Sequence, residues 1–572
     1  TGGCNIALGY SALYNSVSGS TNFAAGMSSL YNNWGGSNNA AIGQNALYSN
    51  TTGGNNNAIG AFALRCNTTG SCNTAIGNSA LYNNTTGDYN SAIGYNALYG
   101  NTTGSHNAAI GREALYSNTT GLYNNAFGCI SLLSNTTGGS NNAMGRCALY
   151  SNISGGCNNA IGQYAMKSNW GGYYNNALGE FALQSNTTGC ENNAIGHEAM
   201  SNYVTGCYNN AMGYRALHGS INPSGDHNNA FGKQALYSNT TGACNNAIGY
   251  QALYSNTTGY SNNAIGHMAL WANTEGLYNQ AIGYNTLKAN TTGCSNNALG
   301  ESALRYNTTG CYNNAIGRNS LLQNSTGCHN TGIGYAVLNL NTTGCNNAAI
   351  GQCALASNTT GGCNTAMGAY ALKGSLSGNH NFAAGSCALY SNYGGCCNTA
   401  IGCCALACNT TGSDNTSIGA FALRKNTTGC YNNAIGRDAL HDNTTGTHNN
   451  ALGNLALCKN TTGGSNNGIG CGALANNVTA SYNNAFGRAA LNSTTGAYNT
   501  AIGHAAGFAN VLGACNVFEG YGAGRYLANG STALTSPDNS TYLGACTRGY
   551  AVGDDNVTVI GHCACACGDN TV

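Results

Sequence analysis

Apolar and polar residues recur along the chain with a period of 17 residues. The segment 245–261 reads NNAIGYQALYSNTTGYS, and the next two read NNAIGHMALWANTEGLY and NQAIGYNTLKANTTGCS. Each repeat has an anchor glycine, such as Gly249, with a large apolar residue just before it and another four residues after it. Such internal self-similarity is the signature of a repeat architecture.

The anchor glycines mark where the array is regular. They follow in steps of 17 from Gly9 to Gly213 and from Gly232 to Gly487, which gives 29 regular repeats. A two-residue insertion near 219–225 separates the two runs. The predicted parts are a regular array over 1–496, irregular joining coils over 497–540, and a second kind of repeat over 541–572 that continues past the last residue.

A repeat of this length predicts one coil of a parallel β-solenoid or β-roll. It is too short for a helix pair, whose repeats need about 30 residues or more. Each of its two glycines would also cost a helix about 1 kcal/mol. The length suits two short strands and two turns. With coils stacked about 4.8 Å apart, we expect an all-β rod on the order of 150 Å long.

The residue types at each position predict which side chains face inward. The residue before the anchor, Ile248, and the residue four after it, Leu253, are apolar throughout the regular repeats, so we expect both in the core. The residue two before the anchor is Ala in 26 of 29 repeats and should point to the opposite face of the strand. Inward Asn residues could pair along the axis. Asn and Gly of the NTTG segment are expected to adopt positive φ.

The predicted core of each coil is thin. Two large apolar residues per coil contribute about 3–6 kcal/mol, and ordering 17 residues costs more than that. A small Ala kept on the second face therefore predicts the close approach of another chain, and a homotrimer is the preferred assembly. A crowded bend that admits only Ala is the alternative.

Composition argues against several classes of function. Only 6% of the residues are charged and the formal net charge is +1, which offers no footprint for nucleic acid or an anionic membrane. The sequence has no run of about 18 apolar residues, so we expect no membrane span. No phosphate loop, paired-carboxylate or triad pattern occurs, and the Cys-rich segments lack the spacing of a zinc site. We expect no enzyme activity, cofactor or metal.

Fifteen of the 29 cysteines occupy two adjacent positions, six or five residues before the anchor glycine. Cysteines spaced by 17 would lie one coil apart, inside the Cα window for a disulfide. They predict axial or interchain bridges in an oxidising, extracellular setting. A permissive surface position is the alternative, since Tyr, Ser, His and Gly also occur there. The candidate disulfide residues are Cys190, Cys207, Cys294, Cys311, Cys328 and Cys345.

The recurring NTT is also an N-glycosylation sequon. Outward-facing Asn residues would carry a line of glycans, whereas an inward ladder Asn could not be modified. The candidate residues are Asn50, Asn67, Asn101, Asn118, Asn135, Asn186, Asn239, Asn256, Asn290, Asn307, Asn341, Asn358, Asn409, Asn426, Asn443 and Asn460.

Tyrosine recurs five residues after the anchor glycine. An exposed stripe of these rings could stack on glycans of a host surface. Aromatic ladders between coils that stiffen the rod are the alternative. The candidate glycan-stacking residues are Tyr48, Tyr99, Tyr116, Tyr237 and Tyr254.

The repeat NNAIGYQALYSNTTG resembles the shaft repeats of virus and phage tail-fibre proteins. The segment 539–572, NSTYLGACTRGYAVGDDNVTVIGHCACACGDNTV, resembles the β-roll head repeats of trimeric autotransporter adhesins. The segment 516–532 looks like the irregular coil that joins the two repeat types. The resemblance covers nearly the whole chain and implies homotrimers on a virion or cell surface. The 29 cysteines depart from these families, whose repeats are poor in Cys.

The leading functional prediction is a structural, extracellular fibre shaft that projects a binding function. The first alternative is a self-assembling, N-glycosylated filament that joins end to end through uncapped coils. Further alternatives are a carbohydrate-binding or an ice-binding solenoid, although the adjacent Thr residues of NTTG point to opposite faces. The expected partner is the chain itself, with host-surface glycans as a second partner.

Overall fold

The computed structural model describes residues 2–220 and 223–571. The chain forms two compact units, Thr1–Thr292 and Gly293–Val572. The all-β prediction is confirmed, because the described residues contain 33 three-residue strands and no helix. They therefore contain no apolar helix that could cross a membrane.

The first unit contains 17 strands. They are β1 (Ile6–Leu8), β2 (Phe23–Ala25), β3 (Ala40–Ile42), β4 (Asn57–Ile59), β5 (Thr74–Ile76), β6 (Ser91–Ile93), β7 (Ala108–Ile110), β8 (Asn125–Phe127), β9 (Asn142–Met144), β10 (Asn159–Ile161), β11 (Asn176–Leu178), β12 (Asn193–Ile195), β13 (Asn210–Met212), β14 (Asn229–Phe231), β15 (Asn246–Ile248), β16 (Asn263–Ile265) and β17 (Gln280–Ile282).

The second unit contains 16 strands. They are β18 (Asn297–Leu299), β19 (Asn314–Ile316), β20 (Thr331–Ile333), β21 (Ala348–Ile350), β22 (Thr365–Met367), β23 (Phe382–Ala384), β24 (Thr399–Ile401), β25 (Thr416–Ile418), β26 (Asn433–Ile435), β27 (Asn450–Leu452), β28 (Asn467–Ile469), β29 (Asn484–Phe486), β30 (Thr500–Ile502), β31 (Val517–Glu519), β32 (Thr541–Leu543) and β33 (Thr558–Ile560).

Within each unit, each strand forms one side of a coil and pairs in parallel with the strand of the next coil. In β15 and β16, Ala247 lies opposite Ala264 and Ile248 lies opposite Ile265. Equal positions of consecutive repeats are therefore stacked in register, which confirms a β-solenoid with coils of about 17 residues. The register survives the insertion, because Ala211 of β13 lies opposite Ala230 of β14. Of the inserted segment, 221 and 222 lie outside the described residues.

Each coil contains one strand, not the two that its length predicts. The remainder is a series of turns in which three non-glycine residues take a left-handed conformation. In one coil these are Gln251 (φ 52°), Leu253 (φ 52°) and Ser261 (φ 55°). They bend the chain around the core, so the NTTG segment needs no positive φ. The prediction of positive φ there is wrong, because neither Asn256 nor Gly259 has one.

The core contains one Leu, two Ala and two Asn per coil. Leu253 is fully buried, as predicted, but the predicted faces of Ala and Ile are reversed. Ala247 is 0% exposed and Ile248 is 39% exposed. In the regular repeats the interior beside the strand is filled by a small side chain, whereas Phe518 of β31 and Tyr542 of β32 are fully buried at this position. Where this position is Gly468, an added Cβ would lie 3.3 Å from Cγ of Leu457.

Candidate functional site

Two buried ladders of asparagine side chains connect consecutive coils. In the first ladder, Nδ2 of Asn256 donates to Oδ1 of Asn239 at 2.8 Å and to the carbonyl oxygen of Gly259 at 2.9 Å. In the second, the backbone N–H of Asn262 donates to Oδ1 of Asn245 at 3.0 Å. Buried amides must find partners, and stacking in register supplies them wherever the next coil also carries Asn at this position. Oδ1 of Asn186, Asn358 and Asn477 has no hydrogen-bond partner among the described residues, because the next coil carries Tyr203, Ser375 or Thr494 there. The predicted inward Asn ladders are confirmed.

The first ladder contains the candidate glycosylation residues. Each of them is fully buried and uses Nδ2, the atom that would carry the sugar, as a hydrogen-bond donor. A glycan on Nδ2 is incompatible with this packing. The residues are Asn50, Asn67, Asn101, Asn118, Asn135, Asn186, Asn239, Asn256, Asn290, Asn307, Asn341, Asn358, Asn409, Asn426, Asn443 and Asn460.

The glycine of NTTG is required by close packing against this ladder. A Cβ added to Gly259 would lie 2.5 Å from Oδ1 of Asn256 and 2.5 Å from the carbonyl oxygen of Gly276. The anchor glycine has a second constraint, because Gly249 has φ +134°, a conformation that L side chains rarely adopt. The two recurring glycines of each coil thus serve different purposes.

At the insertion, a tyrosine replaces one asparagine of the first ladder. Tyr203 occupies the equivalent position, is 1% exposed, and accepts a 2.7 Å hydrogen bond from Nδ2 of Asn239 through its hydroxyl group. Burial raises the pKa of this phenol well above its usual value. The Tyr203 hydroxyl group thus contacts an asparagine 36 residues further along the chain, whereas the contact between Asn239 and Asn256 spans 17 residues.

A stripe of exposed, large apolar side chains runs along each unit. These side chains stand directly before the anchor glycines, on the outer face of the strands, and we call them the apolar stripe. In the first unit they are Leu8, Ile42, Ile76, Ile93, Ile110, Phe127, Met144, Ile161, Leu178, Ile195, Met212, Ile248 and Ile282. In the second unit they are Leu299, Ile350, Met367, Ile401, Ile435, Leu452, Ile469, Phe486, Ile502, Leu543 and Ile560.

The apolar stripe is the surface that sequence reasoning missed. Its signal was nevertheless present, because this position accepts Ile, Leu, Met and Phe, whereas the position before it is almost always Ala. A close-packed interior tolerates little change of volume. Variation in size therefore indicates an outward position, and constancy of a small residue indicates an inward one.

The candidate tyrosines stack on one another. The rings of Tyr99 and Tyr116 are 5.2 Å apart and those of Tyr237 and Tyr254 are 5.0 Å apart, nearly parallel in both pairs. Tyr48 stacks on Tyr31 at 5.0 Å. These faces are occupied by neighbouring rings and leave mainly ring edges to solvent. The geometry is that of the aromatic ladder, the alternative to a glycan-stacking stripe.

The cysteine position six residues before the anchor has a structural role. A polar side chain at this position accepts a hydrogen bond from the backbone N–H of the equivalent residue in the preceding coil. For example, Oδ1 of Asp88 accepts from the N–H of Ser71 at 2.7 Å. Cys207 accepts from Cys190 in the same way at 3.1 Å. Ser, Asp, Asn and Cys all carry an acceptor, which explains their alternation here. The Sγ atoms of Cys190 and Cys207 are 2.7 Å apart.

The two threonines of NTTG have different surroundings. Oγ1 of Thr257 donates to the carbonyl oxygen of Thr274 in the next coil at 3.1 Å, whereas Thr258 is exposed. Coils with the sequence NTTG thus present one exposed Thr each, whereas the equivalent residue is Gly35, Gly171 or Glu275 in other coils. A single file lacks the second row of hydroxyls that a flat Thr-x-Thr surface would provide.

Comparison with known proteins identifies no family for this chain. No family model matches the chain, and no curated protein sequence matches it. Within residues 2–220 and 223–571, no three His, Cys, Asp or Glu side chains are grouped to hold a metal ion. The chemistry that the described residues offer is that of repeated surfaces: an apolar stripe, aromatic ladders and a file of thiols.

Proposed function

We propose that the chain is the shaft of an extracellular or virion-surface fibre, in which three copies associate through their apolar stripes. The exposed stripe is the observation that carries this proposal. Soluble monomers rarely expose contiguous apolar surface on this scale, and such surface marks interaction sites. The Ala face, which suggested a partner from the sequence, is buried inside the coil, so the Ile face takes its place.

The chemistry of the outer strand face suits a second copy of the same chain. Beside Ile248, Nδ2 of Asn246 donates to Oδ1 of Asn263 at 2.9 Å, which pairs these half-buried amides within one chain. Among the described strands, only β31 has a charged residue in the stripe position, Glu519. Neutral, regular faces can approach without unpaired charge. Burying the exposed part of one stripe side chain contributes about 1 kcal/mol, and each coil repeats the gain.

A closed ring of parallel copies places identical coils at the same height. Each coil then presents one stripe side chain to a common axis, which is the arrangement of a cyclic homo-oligomer. The resemblance of the repeats to fibre shafts favours three copies. Stiffness and length are then the function, and the chain itself is the partner. The thiol contacts suit an oxidising compartment, where disulfides persist.

The oligomeric state tests this proposal. Sedimentation equilibrium of the native chain should give three times the chain mass of 58.0 kDa. Asn at every stripe residue of the first unit should weaken the trimer while circular dichroism remains unchanged, because these side chains do not support the coil. The matched control is Tyr260→Asn, which alters an equally exposed side chain on another face and should leave the trimer intact.

A monomer at micromolar concentration would overturn the proposal, and a dimer would overturn the threefold arrangement. The proposed location has a separate test. Antibodies against the regular coils, visualised with gold particles, should label filaments projecting from the source virion or cell. Labelling confined to the cell interior would reject an extracellular fibre.

A further inference from the structure

Two pairs of cysteines bring their sulfur atoms together along the stacking direction. The Sγ atoms are 2.7 Å apart in Cys190 and Cys207, and 2.9 Å apart in Cys294 and Cys311. Both distances are well inside the contact distance of two unbonded sulfur atoms. We propose that each pair forms a disulfide within one chain, which joins two consecutive coils and requires no second copy.

The register of the solenoid makes these bridges possible. The members of each pair occupy the same position in neighbouring coils, so their Cα atoms are separated by about one strand spacing of 4.8 Å. A disulfide accepts Cα separations of about 4.4–6.8 Å. In each pair the backbone N–H of the first cysteine also donates to Sγ of the second at 3.1 Å, which holds the second sulfur beneath the first residue.

Four cysteines follow one another in the second unit, and side-chain direction selects among their pairings. Sγ of Cys294 points at Cys311. Sγ of Cys311 points back at the carbonyl oxygen of Thr309 at 3.4 Å and not at Cys328. Sγ of Cys328 points back at Thr326 in the same way, also at 3.4 Å. Cys345 likewise points back at Thr343 at 3.4 Å. Bridging Cys294 to Cys311 leaves Cys328 and Cys345 as neighbours one coil apart. Bridging Cys311 to Cys328 would instead isolate the two outer residues.

The bond forms by thiol–disulfide exchange with a small disulfide such as oxidised glutathione. One cysteine thiolate attacks this disulfide, forms a mixed disulfide and releases one glutathione thiolate. The neighbouring cysteine thiolate then attacks the protein sulfur of the mixed disulfide and releases the second glutathione. Two protein thiols are oxidised, one glutathione disulfide is reduced to two thiols, and the two protons pass to solvent and glutathione. All four cysteines are half-buried and within reach of a small reagent.

The test is to incubate the native chain with oxidised glutathione, block free thiols with iodoacetamide and digest with trypsin together with an endoproteinase that cleaves after Glu. Cleavage at Glu191 and Glu198 separates Cys190 from Cys207. Cleavage at Glu301, Arg305 and Arg318 places Cys294, Cys311 and Cys328 on three different peptides, so each bridge appears as two linked peptides that reduction separates. We expect the Cys190–Cys207 and Cys294–Cys311 linked peptides from the monomer band of a non-reducing denaturing gel.

Cys207→Ser and Cys311→Ser are the matched controls. Serine already serves as acceptor at this position, since Ser413 accepts from the N–H of Cys396 at 3.1 Å, so the fold should persist. Each variant should lose only its own linked peptide. A Cys311–Cys328 peptide, covalent multimers that dissociate on reduction, or complete alkylation of the four thiols would each overturn the proposal. These outcomes are independent of the oligomeric state on which the proposed function depends.

Discussion

Nδ2 of Asn256 lies 2.8 Å from Oδ1 of Asn239, one coil earlier, in the fully buried interior. The same side chain also donates to Gly259. Asn256→Ala would leave two buried acceptors without this donor and should cost about 2–4 kcal/mol of local stability. Because a repeat array need not unfold in one step, native-state hydrogen exchange of the coil amides is the appropriate measurement.

The control for this change is Asn246→Ala, which removes an amide from the half-buried row on the outer strand face. Its hydrogen bond to Asn263 competes with water, so the expected cost is about 0.5 kcal/mol. Equal loss of hydrogen-exchange protection in the two variants would show that the buried amide of Asn256 stabilises its coil no more than the amide of Asn246 does.

The left-handed conformation of Leu253 should make this position sensitive to branching at Cβ. At φ 52° a β-branched side chain clashes with the backbone, so Leu253→Val should cost about 2–4 kcal/mol from strain and lost volume. Leu253→Met should cost about 1 kcal/mol or less, because Met166 and Met200 occupy the equivalent position at φ 47° and 52°. Native-state hydrogen exchange of the coil amides compares the two variants, and an equal loss of protection would contradict the assigned backbone.

Tyr203→Phe tests whether the Tyr203 hydroxyl group stabilises the first ladder at the insertion. The phenylalanine keeps the ring but removes the acceptor of the 2.7 Å bond from Asn239, which should cost about 1–2 kcal/mol. Hydrogen exchange should accelerate in the coils that flank the insertion and remain unchanged elsewhere. Tyr254→Phe, in an aromatic ladder, serves as the control and should change exchange little. A uniform response in both variants would argue against the bridging role of Tyr203.

Formation of the proposed Cys190–Cys207 bridge should depend steeply on pH. Burial, followed by the hydrogen bond with Cys207 and the negative charges of Glu191 and Asp226, raises the pKa of the Cys190 thiol to about 11. When Cys207 carries the mixed disulfide, Cys190 is the attacking thiolate, and below its pKa the thiolate fraction grows about tenfold per pH unit. The rate of this closing step should therefore rise about tenfold between pH 8 and pH 9 and continue to rise. A rate that levels off near pH 8.5, as for an ordinary thiol, would contradict the raised pKa.

The repeat length, the buried Leu and the Asn ladders could be predicted from sequence because each follows from a period and a residue type. The direction of Ala247 and Ile248 could not. Strand alternation separates two faces, but which face turns inward depends on the bends at Gln251 and Leu253. Leucine has no preference for positive φ, so the sequence gives no sign of that bend.

The candidate cysteines could be predicted from the sequence, but their pairing could not. A spacing of 17 places Cys294 and Cys311 one coil apart, as equal positions in a solenoid must lie. The rotamer that turns Sγ of Cys294 toward Cys311, while Cys328 turns back to its own turn, depends on hydrogen bonds that no spacing encodes. Spacing therefore supplies the candidates, and side-chain geometry supplies the pairing.

The proposed contact between copies of this chain is the apolar stripe. The most direct test is a cryo-electron microscopy cross-section of the native particle at a resolution that shows side-chain bulk. The account predicts three chains around one axis, with Ile248 and the other stripe side chains turned toward that axis and Ala247 inside each coil. A single chain whose stripe faces solvent would contradict it.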